Sequence, residues 1–123
     1  MGKALLAFFA ILGLVVVAFA ASASAEDLTV RQLVNQYRGD NGVERLAAVS
    51  YLSGLGLGYM HGSVLTEMRT GKPLFCFPLK LKIDAAVTAS ALEHLMKEMP
   101  QSANEDASSM LAFAFMSTFR CKS

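Results

Sequence analysis

The sequence predicts an all-α fold, a compact bundle of about four helices with one disulfide, preceded by a cleavable signal peptide. Three observations support this prediction. Apolar residues recur at helical spacing over most of the chain after residue 26, glycine and proline interrupt that spacing at only a few points, and there are two cysteines. We therefore expect a single helical domain over residues 26–123.

The first 25 residues have the three parts of a secretory signal peptide. Lys3 supplies the positive charge, residues 4–20 form an apolar run, and Ala23-Ser24-Ala25 provides a cleavage site of small residues. We expect cleavage after residue 25, so that the mature chain no longer contacts the membrane. The alternative is an uncleaved anchor, because a run of about 17 apolar residues approaches the length that spans a bilayer.

Helix caps and stops place the first two helices. Asp27 and Thr29 are both suitable caps for a first helix that ends near Gly39. A second and longer helix is predicted from about Val43 to Met68, because the residues that follow, 70–73, read Thr-Gly-Lys-Pro.

The third and fourth helices are placed by the same signals. Asp84 is a good cap for a third helix that ends before Pro100. Ser102 and Glu105 have the spacing of a capping box, which predicts that the fourth helix opens there and ends at Phe119.

Charge and composition exclude some classes of partner. Of the 11 basic side chains only Lys3 lies in the predicted signal peptide, so the mature chain balances its 10 acidic side chains. The charges are scattered singly along the sequence. Binding of nucleic acid or of an anionic membrane surface requires a basic patch, and neither is therefore expected.

The two cysteines, Cys76 and Cys121, both follow the predicted signal peptide. Export places them in an oxidising compartment, and they lack the Cys-x-x-Cys spacing or neighbouring histidines of a redox or zinc site. We therefore expect a structural disulfide. It would join a link bracketed by Pro73 and Pro78 to the end of the fourth helix, and it would stabilise the fold by roughly 4 kcal/mol in the chain-entropy model.

The second helix carries a row of small residues, Ser50, Gly54, Gly58 and Gly62, at every fourth position and so on one face. Each glycine inside a helix costs roughly 1 kcal/mol relative to alanine. A gain from close approach of another backbone is therefore expected. Helix packing inside the domain is the favoured interpretation, and the alternative is a homodimer interface or a groove for a partner.

Candidate catalytic and metal-binding residues are few. His61 and Ser63 are two residues apart and point to different sides of a helix, so they do not form a base and nucleophile pair. We expect His61 to be partly buried beside the glycine row. Glu93, His94 and Glu98 offer a His and Glu at i, i+4 with no third ligand, which favours a solvated helix face. The sequence predicts no enzyme, metal or cofactor.

Phe113 and Met116 lie on the side of the fourth helix away from its main apolar stripe. A helix that is apolar on two sides is either sandwiched between other elements or exposes a patch. In the second case the patch would bind a partner or a second copy of the chain.

Four segments occur in a distinctive order: Tyr51–Gly58, Phe75–Pro78, Leu95–Pro100 and Ala107–Cys121. They contain Cys-x-Pro, Leu-x-x-x-x-Pro and a terminal Phe-x-Cys. In these features residues 43–121 resemble the Rap/Tai immunity proteins of type VI secretion. Those proteins are small exported all-helical domains that bind and neutralise peptidoglycan amidases injected by sister cells.

The resemblance implies that Cys76 and Cys121 are the disulfide pair and that Gly54 and Gly58 are packing glycines. It also implies a periplasmic protein that occludes the active site of a cell-wall amidase effector. The alternative function is a small periplasmic chaperone of the acid-stress type, or another interaction protein with the same helical, disulfide-bonded architecture.

Overall fold

The computed structural model describes residues 28–122, and the predicted signal peptide lies outside the described residues. The regular secondary structure of this part of the chain is helical, apart from an isolated antiparallel bridge between Thr29 and Asp106. The helices are α1 (Val30–Arg38), α2 (Gly42–Thr70), α3 (Ala85–Glu98), a 3-10 helix (Pro100–Asn104) and α4 (Ala107–Thr118). The predicted all-α bundle with one disulfide is confirmed.

Polar caps define the ends of the first three helices. Thr29 and Gln32 form a capping box at the start of α1, and the Asn41 side chain accepts the first free backbone N–H groups of α2. Gly71 ends α2 in the left-handed region, at φ +80°, where its N–H donates to Glu67. Asp84 caps α3. The caps predicted at Thr29 and Asp84 are confirmed.

The predicted start of α4 is wrong. Ser102 is buried within the 3-10 helix that Pro100 begins, and Glu105 is extended. Asp106 is the cap instead, and its carboxylate accepts the N–H of Ser109. Asp106 is also an adequate cap residue, four positions after Ser102, and the proline-initiated turn takes up Ser102.

The segment around Asp106 also holds the beginning of the described chain. The N–H of Val30 donates to the carbonyl of Glu105 at 3.0 Å, and the N–H of Ala107 donates to the carbonyl of Leu28 at 2.8 Å. Glu105 is therefore kept out of the helix because its backbone pairs with residues 28–30.

Helix α3 lies at the centre of the bundle and packs against all three other helices. The core is continuous, and its largest fully buried apolar side chains come from each helix: Val30, Leu33, Leu52, Leu92, Leu95, Leu111 and Phe115. Burying each of them contributes on the order of 2 kcal/mol.

An aromatic cluster fills the bundle beside the disulfide. It consists of Tyr59, Phe75, Phe77, Phe115 and Phe119, with ring centroids 4.8 to 6.3 Å apart and mostly in edge-to-face contact. The cluster joins the link between α2 and α3 to helix α4.

The predicted disulfide is confirmed. Cys76 and Cys121 are bonded, with Cα atoms 4.9 Å apart, and the N–H of Cys76 donates to the carbonyl of Phe119. The bond closes a loop with a sequence separation of 45 residues, and it fixes the link against the carboxyl end of α4.

Candidate interaction surface

Helix α2 has an inward face that packs closely on the bundle. Ala48, Leu52, Gly56 and Ser63 are buried there. A side-chain carbon added to Gly56 would clash with Oγ1 of Thr88, whose hydroxyl donates to the Asp84 carbonyl at 2.8 Å. Gly56 is therefore the glycine that allows α2 to approach α3.

The row Ser50, Gly54, Gly58 and Gly62 does not pack inside the domain, and that prediction is wrong. A side-chain carbon added to any of these three glycines would meet nothing within 4 Å. Gly54 and Gly56 are two residues apart, about 200° around the helix, so a row that contains one cannot share its face with the other. The homodimer interface or partner groove stays a prediction.

The glycine row forms one wall of an open apolar groove of about 450 Å³. The groove is lined by Gly54, Leu55, Gly58, Tyr59, Gly62, Thr66 and Leu74. The Tyr59 hydroxyl donates to the carbonyl of Ser108 at 2.6 Å, which fixes this wall to α4. Burial raises the pKa of Tyr59, and the nearby charge of Asp106 raises it further.

The outer side of α2 is apolar over most of its length. Between Leu46 and Thr66 the sequence contains no Asp, Glu, Lys or Arg. Six large apolar side chains are exposed along the helix: Val43, Leu46, Leu57, Val64, Leu65 and Met68. We call these six side chains, together with the row Ser50, Gly54, Gly58 and Gly62, the outer face of α2. No helix among the described residues is long and apolar enough to cross a membrane.

His61 is exposed on this side of α2, and the expectation that it is partly buried is wrong. The row beside it faces solvent, so nothing covers the ring. Ser63 points the other way, as predicted, and is 2% exposed. Its hydroxyl accepts the N–H groups of Leu74 and Phe75 at 3.0 and 3.1 Å and donates to the Phe75 carbonyl. Ser63 therefore holds the link that carries Cys76.

The solvated face predicted on α3 is confirmed. His94 and Glu98 lie 3.1 Å apart and are both half exposed. Glu93 does not pair along α3 but with Arg38 of α1, at 2.6 Å, and this hydrogen bond raises the pKa of Arg38. Within residues 28–122, no three His, Cys, Asp or Glu side chains are placed to hold a metal ion.

Phe113 and Met116 are both half exposed on α4. The sequence left open whether this side of the helix is sandwiched or exposed, and it is exposed. The two side chains form a small apolar patch, which we call the α4 patch. Its role as a contact for a partner or a second copy stays a prediction.

The link between α2 and α3 exposes a feature that the sequence analysis missed. Leu79 is fully exposed at the tip of a turn in which the N–H of Leu81 donates to the Pro78 carbonyl. Lys80 follows it in the turn and is also exposed. We call residues 78–80 the link turn. Its signal in the sequence is an apolar residue placed directly between Pro78 and a lysine.

The disulfide also joins two segments that carry basic side chains, although these charges look scattered in the sequence. Residues 68–83 and 107–122 contain no acidic side chain, and they contribute six exposed basic ones: Arg69, Lys72, Lys80, Lys82, Arg120 and Lys122. The Cys76–Cys121 bond brings these two segments together. Glu67 and Asp84 border the first segment. The sequence alone did not predict this basic region, because the two segments are distant in sequence.

Comparison with family models, curated proteins and solved structures finds no match for this chain. The fold and the surface define a class nonetheless, a small helical disulfide-bonded domain with an exposed apolar helix face and a basic region around its disulfide. The disulfide is consistent with an oxidising compartment outside the cytoplasm.

Proposed function

We propose that this protein is an exported periplasmic binding protein that neutralises a type VI secreted peptidoglycan amidase by occluding its active site. The resemblance of residues 43–121 to the Rap/Tai immunity proteins motivates the proposal. The observation that carries it is the link turn, an exposed apolar tip on a base that is fixed from several sides.

Occlusion of an enzyme cleft favours an element that protrudes and is already ordered before binding. The link turn meets both requirements. Its amino-terminal arm is held by the Cys76 disulfide, by the Ser63 hydroxyl and by the packing of Phe75 and Phe77 in the aromatic cluster. Little conformational entropy is then lost on binding, which raises affinity.

The chemistry of the turn fits the centre of a protein interface. Leu79 supplies an apolar anchor that can fill a pocket and lose its water, and Lys80 beside it supplies a charged rim. The basic side chains around the disulfide favour a partner whose cleft is bordered by acidic groups, since complementary charge speeds association and excludes wrong partners.

The test coexpresses the mature protein in the periplasm with the product of the adjacent gene directed there. Suppressed lysis and a stable stoichiometric complex are expected. Leu79→Ser should weaken the complex by roughly tenfold or more, the effect of losing one buried anchor. Phe113→Ser in the α4 patch is the control, because it removes another large exposed apolar side chain, which is half exposed where Leu79 is fully exposed. Loss of binding in the control alone would move the contact to α4.

A second candidate, the acid-stress chaperone, is favoured by the outer face of α2, which exposes apolar surface of the kind that binds unfolded clients. The two functions make opposite predictions. Suppression of client aggregation at low pH, with no binding to any cell-wall amidase, would overturn the inhibitor proposal in favour of the chaperone.

A further inference from the structure

We infer that two copies of this chain associate through the outer face of α2, with the two helices antiparallel and a two-fold axis that crosses this face at the level of position 56, midway between Gly54 and Gly58. The inference concerns self-association and does not depend on the proposed amidase partner. It is carried by the exposed apolar area of α2, by the symmetry of its small residues and by the charges at its two ends.

The exposed area matches what a dimer requires. From their exposed fractions, the six large apolar side chains of the outer face leave roughly 700 Å² accessible, against about 800 Å² per partner in a standard interface. The largest apolar patch on a typical monomer is about 300–600 Å². The outer face therefore has more apolar surface than a monomer usually exposes.

The row of small residues is symmetric about position 56. In an antiparallel pair centred there, Gly54 of one copy faces Gly58 of the other, and Ser50 faces Gly62. Small residues therefore meet small residues along the whole row, and the large side chains beside the row can interdigitate as ridges into grooves. A two-fold axis requires this kind of self-complementarity.

The charges at the two ends of the uncharged stretch select the antiparallel direction. Glu44 lies 12 residues before position 56, and Arg69 lies 13 residues after it, on the same flank of the helix. Both are exposed. The two-fold axis therefore brings Glu44 of one copy beside Arg69 of the other. A parallel pair would place Glu44 beside Glu44, which costs energy.

The low helix propensity of the outer glycines also favours association of two copies. Gly54, Gly58 and Gly62 cost α2 roughly 1 kcal/mol each relative to alanine, and within the described monomer no neighbouring atom uses the space they leave. A second helix that approaches closely over this row recovers the cost through packing contacts.

The test measures the mass of the purified exported protein by sedimentation over a range of concentrations. A dimer is expected at micromolar concentration. Gly58→Leu should weaken dimerisation by roughly tenfold or more, since the added bulk separates the two backbones. Its circular dichroism and thermal unfolding at low concentration should stay those of a folded monomer, because the site is open. Phe113→Ser is the matched control and should leave the mass unchanged.

Charge reversal tests the direction. Glu44→Arg should weaken the dimer, and adding Arg69→Glu should restore it, because the opposite charges again meet across the axis. A protein that is monomeric at all concentrations, or whose dimer is unaffected by Gly58→Leu, would overturn the inference. If Glu44→Arg and Arg69→Glu each weaken the dimer but the double variant does not restore it, the antiparallel arrangement is overturned.

Discussion

The two faces of α2 give the same residue type opposite roles. On the inward face Gly56 is required, since any side chain there meets Thr88 and Ile83. On the outer face Gly54, Gly58 and Gly62 leave open space. All four carry the same cost in helix propensity, so only the packing around each one tells which contact it serves. A row of glycines therefore indicates that another backbone approaches closely, but it does not identify that backbone.

Two serines of α2 show the same contrast between the faces. Ser63 faces inward, is buried, and holds three polar groups of the link between α2 and α3. Ser50 begins the outer row and is exposed. Residues on the inward face are therefore each constrained by a particular neighbour. Residues on the outer face are not, and they matter together as one exposed surface.

The largest loss of stability is expected from substituting Ser63. Ser63→Ala leaves the N–H groups of Leu74 and Phe75 without their acceptor, and the free energy of unfolding should fall by about 2–3 kcal/mol. Urea denaturation followed by circular dichroism measures it. Ser50→Ala is the control and should change stability by less than about 0.5 kcal/mol. Equal effects at the two positions would contradict the distinction between the faces.

A smaller loss of stability is expected from substituting the inward glycine, Gly56. Gly56→Ala gains helix propensity but forces Thr88 and Ile83 to move, with a net loss of about 1–3 kcal/mol. Gly58→Ala should gain up to about 1 kcal/mol when measured at a concentration where the protein is monomeric.

A double-mutant cycle tests whether the cost of Gly56→Ala arises from contact with Thr88. Combining Gly56→Ala with Thr88→Ala removes the hydroxyl that the new methyl group meets, so the two losses should be clearly less than additive. Additive losses would show that the cost at Gly56 arises elsewhere.

The smallest effect is expected from acid and concerns the cap of α4. Hydrogen bonds from Ser108, and further ones from Ser109, hold the pKa of Asp106 below its usual range. Because the pKa is lower in the folded state, this stabilisation is complete above the usual aspartate pKa and is lost as the pH falls through the folded value.

Urea denaturation at a series of pH values below about 5 checks this expectation. The midpoint should fall as the pH is lowered, and Asp106→Asn, which keeps a capping side chain but removes the charge, should flatten the dependence. An unchanged slope in Asp106→Asn would assign the acid sensitivity to other carboxylates.

Much of the fold could be predicted because its signals are local. Thr29 and Asp84 are recognisable caps, Gly71 is a recognisable stop, and the two cysteines have only each other to pair with inside the chain. The start of α4 was missed because two adequate caps compete, and only the backbone pairing of residues 28–30 with residues 105–107 decides between them.

The surface was harder to predict, for a different physical reason. Helix α2 is apolar on both sides, so its periodicity does not reveal which side is covered. His61 and the outer glycines were therefore assigned to the wrong environment. The basic region and the link turn depend on two segments that meet only through the Cys76–Cys121 bond and its neighbours. The sequence predicted the bond itself, but the spacing of charges along the chain does not show which exposed side chains the bond brings together.

The antiparallel bridge between Thr29 and Asp106 bears on how the domain folds. It joins the cap of α1 to the cap of α4, so residue 29 reaches its native pairing only when residue 106 is in place. Such long-range closure slows folding relative to bundles with only local contacts. A growing chain cannot complete α1 in its final place until α4 has emerged, and the domain matures as one unit rather than from its amino end forward.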